Sequence, residues 1–182
     1  MEARHAEVEL QLGADGTKNT FVKALRERHS IVHLAVHALA DSKNPGHAAL
    51  FLLDDKSTRT DGVLDSEEVI TLPVRANVVV LSACETAVGR LEGQEGIATL
   101  SRAFMLAGAR TVISTLWTID DTFSRFLMSQ FYAGIANGQN TSIALRNAKL
   151  ELLKTFGPQA VPYRWAAYTL EGADDYIVPF PK

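Results

Sequence analysis

The stretch ANVVVLSA, residues 76–83, holds four consecutive aliphatics, VVVL, with no polar residue among them. A run this short is a strand rather than a helix, and apolar character on both faces predicts burial inside a parallel sheet. IVHLAV (31–36) reads as a second buried strand and RTVISTLW (110–117) as a third. AALFLL (48–53) follows the turn signal NPGH and is expected to be a strand as well. VELQL (8–12) alternates apolar and polar residues, which predicts a half-buried or edge strand.

Helical patterns fill the intervals. KNTFVKALRER follows Thr17 as a candidate cap, and LDSEEVITL reads as a short helix with Asp65 or Ser66 near its cap. LEGQEGIATLSRAFMLAGA predicts a glycine-rich loop and then a helix from about Ile97 to Gly108. DDTFSRFLMSQFYAGIANG is amphipathic, opens on acids that suit the helix dipole and ends at Gly138. TSIALRNAKLELLKTFG offers Thr141 or Ser142 as cap, and a final strand is expected over Trp165 to Leu170. Strand and helix alternate with apolar strands, so residues 1–182 predict a single α/β domain with a mostly parallel sheet.

Composition narrows the function classes. With 47% hydrophobic and 21% charged residues the chain is ordinary globular material. A formal charge of −3 gives no electrostatic footprint for nucleic acid or an anionic membrane. No apolar run approaches the roughly 18 residues of a membrane span, and MEARHAEVEL lacks the apolar core of a signal peptide. A single cysteine cannot form an internal disulfide, which predicts a reducing, cytoplasmic setting. The acidic loop EGQEG supplies no lysine for phosphates, which disfavours a nucleotide-binding reading.

In open parallel sheets, reactive groups gather beyond the carboxyl ends of the strands. HLAVHALAD (33–41) places His37 past one apolar strand, and VVVLSACETAVG (78–89) places Cys84 past another. Strand alternation sets His33, Ala35 and His37 on one face, successive same-face side chains being about 7 Å apart. His37, at the exit, is the candidate partner for Cys84; His33 is expected to be buried and hydrogen-bonded. A strand cysteine is most often a small core hydrophobe. The shift to small and polar residues at SACETAVG argues instead for presentation at a turn, where amide N–H groups can stabilise a thiolate. His33, His37, Cys84 and Glu85 lack paired-ligand spacing, so no metal is expected.

HLAVHALAD, LSACETAVG, EGIATLSRAFMLAGARTVISTLW and ALRNAKLELL…YRWAAYTLEG, in that order, resemble the motifs of CHAT domains. These are caspase-like domains often joined to tetratricopeptide repeats and distantly related to separase. The interval of 47 residues from His37 to Cys84 agrees with the roughly 50 of caspases. The resemblance implies a three-layer caspase-like fold with helices on both sheet faces and a cysteine endopeptidase without cofactor. His37 is then the general base and Cys84 the nucleophile, with the N–H groups of Ala38 and Cys84 holding the oxyanion. The family usually has glycine where this chain has Ala38, which would be strained if φ there were positive.

LWTIDD resembles the separase-like segment in which an aspartate receives a basic residue of the substrate. Asp121, and next Asp120, would take that role. Glu92, Gln94 and Glu95 are further candidates facing a substrate. The resemblance also implies missing amino-terminal strands, hence a carboxy-terminal portion of a larger protein whose exposed sheet edge self-associates. Expected partners are a protein or peptide substrate and a tetratricopeptide-repeat region. The competing expectation is a catalytically inactive CHAT scaffold or signalling module.

Overall fold

A computed structural model describes residues 8–40, 48–55, 61–82, 84–85 and 93–178, with 39–40, 84–85 and 93–97 described by backbone alone. Its strands are β1 (Ile31–Leu34), β2 (His37–Ala40), β3 (Ala48–Phe51), β4 (Val63–Asp65), β5 (Val78–Leu81), β6 (Cys84–Glu85), β7 (Thr111–Thr115) and β8 (Tyr168–Gly172). The helices are α1 (Lys18–Arg26), α2 (Ser66–Thr71), α3 (Gly93–Ala107), α4 (Asp121–Ala136) and α5 (Thr141–Phe156).

The principal sheet has the order β1-β5-β7-β8, parallel except for the last strand. All residues of β5 and β7 are buried, as expected for strands covered on both faces. Alternation along β5 divides the core. Val79 and Leu81 join residues of α1, α2 and α3, including Leu25, Val69 and Phe104. Val78 and Val80 join residues of α4 and α5, including Leu127, Phe131 and Leu152. The domain is therefore a three-layer α/β arrangement with helices on both faces of a mostly parallel sheet, consistent with a caspase-like fold.

A smaller sheet, β4-β3-β2-β6, extends the first. Ile31 faces Val78 in β1/β5, and His37 faces Cys84 in β2/β6, each pair 47 residues apart. The equal offset means that the parallel pairing of β1 with β5 and that of β2 with β6 share one register. On the outer side of β2 the antiparallel strand β3 is paired, followed by β4. Among the described residues no strand pairs with the outer side of β1, which is the sheet edge.

Several expectations need correcting. Residues 8–12 form no strand; Val8, Leu10 and Leu12 are each more than 60% exposed. Their alternation is intact, but no described strand pairs with them, and alternation without a ladder does not fix a strand. α3 starts at Gly93, four residues before the expected Ile97. The cap of α5 is Asn140, whose side chain accepts from the Ile143 N–H, rather than Thr141 or Ser142. Thr141 instead donates its hydroxyl to the Ala173 and Asp174 carbonyls. The last strand is Tyr168–Gly172, shifted along from Trp165, because a 3-10 turn over Pro162–Arg164 occupies the preceding residues. The cap at Thr17 is formed as the sequence predicts, and of the alternatives Asp65 and Ser66 it is Asp65 that caps α2.

Candidate active site

The carboxyl ends of the parallel strands carry the expected residues. β1 ends at Leu34, and β2 begins at His37. Burial alternates along this segment: Leu34 and Ala38 are buried in the α1–α3 half of the core, while His33, Ala35 and His37 are exposed. Cys84 does not lie in a turn but opens the short strand β6. The register makes His37 and Cys84 direct neighbours on adjacent parallel strands, whose axes lie about 4.8 Å apart.

Ala38 follows in β2, facing Leu50 of β3 on one side and Glu85 of β6 on the other, and it is 1% exposed. Strand backbone is extended, so alanine adopts it without the left-handed strain that would have called for glycine.

The strand β7 delivers the acidic pair. Beyond its last residue the chain passes Trp117, stacked on Tyr163 with ring centroids 5.8 Å apart, and reaches the start of α4. Asp120 is the cap: its carboxylate accepts from the Thr122 N–H at 2.9 Å. Hydrogen bonds from Thr122, backbone and hydroxyl, hold its carboxyl below the usual carboxylate range, with Arg164 adding to the effect. Asp121 begins the helix with an exposed side chain, and its carbonyl accepts from Arg125. Thus Asp120 is occupied in capping, whereas Asp121 has no capping role. Glu92 lies outside the described residues, as do the side chains of Gln94 and Glu95.

His33 departs from its expected burial. As part of an edge strand its residue surface is exposed, but both ring nitrogens are engaged. Nε2 lies 2.9 Å from Ser82 Oγ, and Nδ1 lies 2.8 Å from Tyr132 Oη on α4. These neighbours and the helix behind them desolvate the ring, which lowers its pKa and favours the neutral imidazole. Burial raises the Tyr132 pKa, with Tyr168 contributing, so its hydroxyl stays protonated. Neither Tyr132 nor Ser82 was apparent as a site neighbour from sequence, because nothing local in a helix or a strand end reports a contact 99 or 49 residues away.

The described acids and histidines converge in one further place. Single ligand atoms of Glu9, Glu27 and His29 lie within 4.8 Å of one another. Glu27 and His29 precede β1, at the opposite end of the sheet from His37, and Glu9 and Glu27 are exposed. No residue of the His37–Cys84 rim belongs to this group.

Comparison with known families finds the CHAT domain matching residues 2–173. This chain belongs to the CHAT domain family. Among curated proteins, this CHAT domain is similar to tetratricopeptide repeat protein 28 of Mus musculus, with 31% identity over 112 residues. The Homo sapiens protein of the same name is 29% identical over 112 residues. Each match covers 62% of this chain and 4% of the relative, so the likeness concerns a small part of a much longer protein. No described helix of this CHAT domain is long and apolar enough to cross a membrane.

Proposed function

We propose that this CHAT domain is a caspase-like cysteine endopeptidase in which His37 and Cys84 form the catalytic dyad. The observation that carries the reading is the 47-residue register shared by β1/β5 and β2/β6, which makes the two residues cross-strand neighbours at the carboxyl rim. His37 accepts the thiol proton, and the thiolate adds to the carbonyl carbon of the scissile peptide. The oxyanion is held by the amide N–H of Cys84 and, in the family pattern, of Ala38. The tetrahedral species collapses, the amine leaves with the proton from His37, and an acyl-thioester remains. Water, deprotonated by His37, hydrolyses the thioester and restores the thiol. Asp121 receives a basic side chain before the cleaved bond, with Asp120 next in line.

A second reading, a CHAT scaffold without peptidase activity, is favoured by one observation. Ala38 is almost wholly buried and has a strand on either side, so its amide must be released from the ladder before it can meet a substrate oxyanion. The partner of either form is a tetratricopeptide-repeat region, supported by the names of the relatives. The edge of β1, unpaired among the described residues, further supports pairing with a second copy, in the cytoplasmic setting the lone cysteine suggests, and a monomer by sedimentation at high concentration would exclude that contact.

Thiol-reactive peptide probes with arginine, leucine or aspartate at the last position test the reading. The peptidase reading expects labelling by the arginine probe, its loss in Cys84→Ala, and a weakened arginine preference in Asp121→Asn. No labelling by any probe, in a folded protein, favours the scaffold.

A further inference from the structure

We propose that His33, clasped between Tyr132 and Ser82, is a positioning residue that fixes Ser82, the first residue after β5 and two positions before Cys84. Ser82 is the first residue after β5, where the regular ladder stops, and two positions later Cys84 opens β6. Its main chain is tied to β1 by the Ser82 N–H donating to the Leu34 carbonyl at 2.9 Å. Its hydroxyl is tied to the same strand through His33 Nε2 at 2.9 Å. Ser82 is thus anchored twice to β1, once through backbone and once through its side chain.

The second anchor is itself held from the α4 layer. Tyr132 Oη sits 2.8 Å from His33 Nδ1, and the two rings lie 5.9 Å apart at 38°. Tyr132 packs edge-on against Phe131, with centroids 5.2 Å apart, and Phe131 is fully buried. A neutral imidazole offers one donor and one acceptor, so a single tautomer satisfies both neighbours, each hydroxyl taking the complementary role. His33 thereby links three elements: β1, the end of β5 and α4. His33 in β1 and His37 at the start of β2 are both exposed and lie four residues apart, so one short segment of chain carries both the base and the anchor of Ser82.

The consequence for Cys84 rests on its reading as the nucleophile, while the anchoring itself does not. The test therefore uses two readouts on the full chain. Amide hydrogen exchange at residues 82, 84 and 85 reports the anchoring, and the pH profile of Cys84 alkylation by iodoacetamide reports the thiol. Tyr132→Phe keeps the ring and removes only the hydroxyl. It is expected to speed exchange about two- to tenfold, the factor given by the loss of one net hydrogen bond. It is also expected to shift the alkylation profile toward that of an unassisted thiol. Ser82→Ala, which cuts the other bond, should reproduce both changes if Tyr132→Phe fails to fold. His33→Gln retains a donor and an acceptor and should restore most of the wild-type behaviour.

Unchanged exchange and alkylation in folded Tyr132→Phe and Ser82→Ala would overturn the proposal. Faster exchange, with an alkylation profile that neither Tyr132→Phe nor His37→Ala alters, would keep the anchoring and overturn the dyad. A profile altered by His37→Ala alone, with exchange unchanged, would keep the dyad and overturn the anchoring.

Discussion

Leu81 closes β5, is fully buried and faces Leu34 across the β1/β5 pair, immediately before Ser82. Leu81→Ala removes three carbons from the α1–α3 half of the core. At about 0.8 kcal/mol per buried methylene the transfer contribution is about 2.4 kcal/mol. The cavity left between β5 and its neighbours adds to this, because a strand held on both sides collapses only partly, so a total of about 3 kcal/mol is expected. For a chain of this size that lowers Tm by roughly 6–12 °C. Leu106→Ala is the matched control: the same chemical change on α3, at a residue 66% exposed, with an expected effect below about 0.5 kcal/mol. Urea unfolding followed by circular dichroism measures both. A Leu81→Ala loss under about 1 kcal/mol, or equal losses in the two variants, would refute the assignment of Leu81 to a packed core.

Three other perturbations probe separate parts of the fold. Gly108→Ala, at φ +121° with an added Cβ 2.7 Å from the Val74 carbonyl oxygen, should destabilise by about 1–3 kcal/mol in the same unfolding assay. Asp65→Ala removes the 2.7 Å acceptor of the Glu68 N–H and should cost about 1 kcal/mol, with Asp65→Asn recovering most of it. The His33 ring gives a pH dependence of known sign. Its native pKa is lowered, so between the unfolded value of about 6.5 and the native one the unfolded chain binds more protons. Stability is complete above that window and falls as pH drops through it, and the fall in urea midpoint should be smaller in His33→Gln.

The layout of the domain was legible because its strands carry the signal themselves. VVVL can be neither an exposed strand nor a free helix, and the apolar faces of α1–α5 follow from their spacing. The cap at Thr17 was equally local, since it is followed three residues later by the N–H it satisfies, whereas the choice between Asp65 and Ser66 was not. Where several cap residues adjoin, as in Asn140, Thr141 and Ser142, the choice depends on the chain that packs beside them. Here the carbonyls of residues 173 and 174 engage Thr141 and leave Asn140 as cap. α3 begins early although Gly93 and Gly96 weaken helix propensity, a tertiary override that the local pattern does not announce.

The candidate site divides along the same line. His37 and Cys84 could be picked out as strand-exit residues, but their pairing depends on a register that neither strand encodes alone. That Cys84 opens a strand follows from β2 offering it a partner. The exposure of His33 likewise follows from the position of β1 at the sheet edge, and its bond to Tyr132 from the packing of α4 over that edge. Ala38 looked like a source of backbone strain from sequence; an extended strand removes the strain and raises instead the question of access to its amide.

The central claim is that His37 acts on Cys84, and the rate of Cys84 alkylation by iodoacetamide between pH 5 and 9, in wild type and His37→Ala, tests it most directly. The account predicts a wild-type thiolate well below the ordinary cysteine pKa of about 8.5, with the profile returning toward 8.5 in His37→Ala. Superimposable profiles in the two proteins, both governed by a pKa near 8.5 or above, would contradict it.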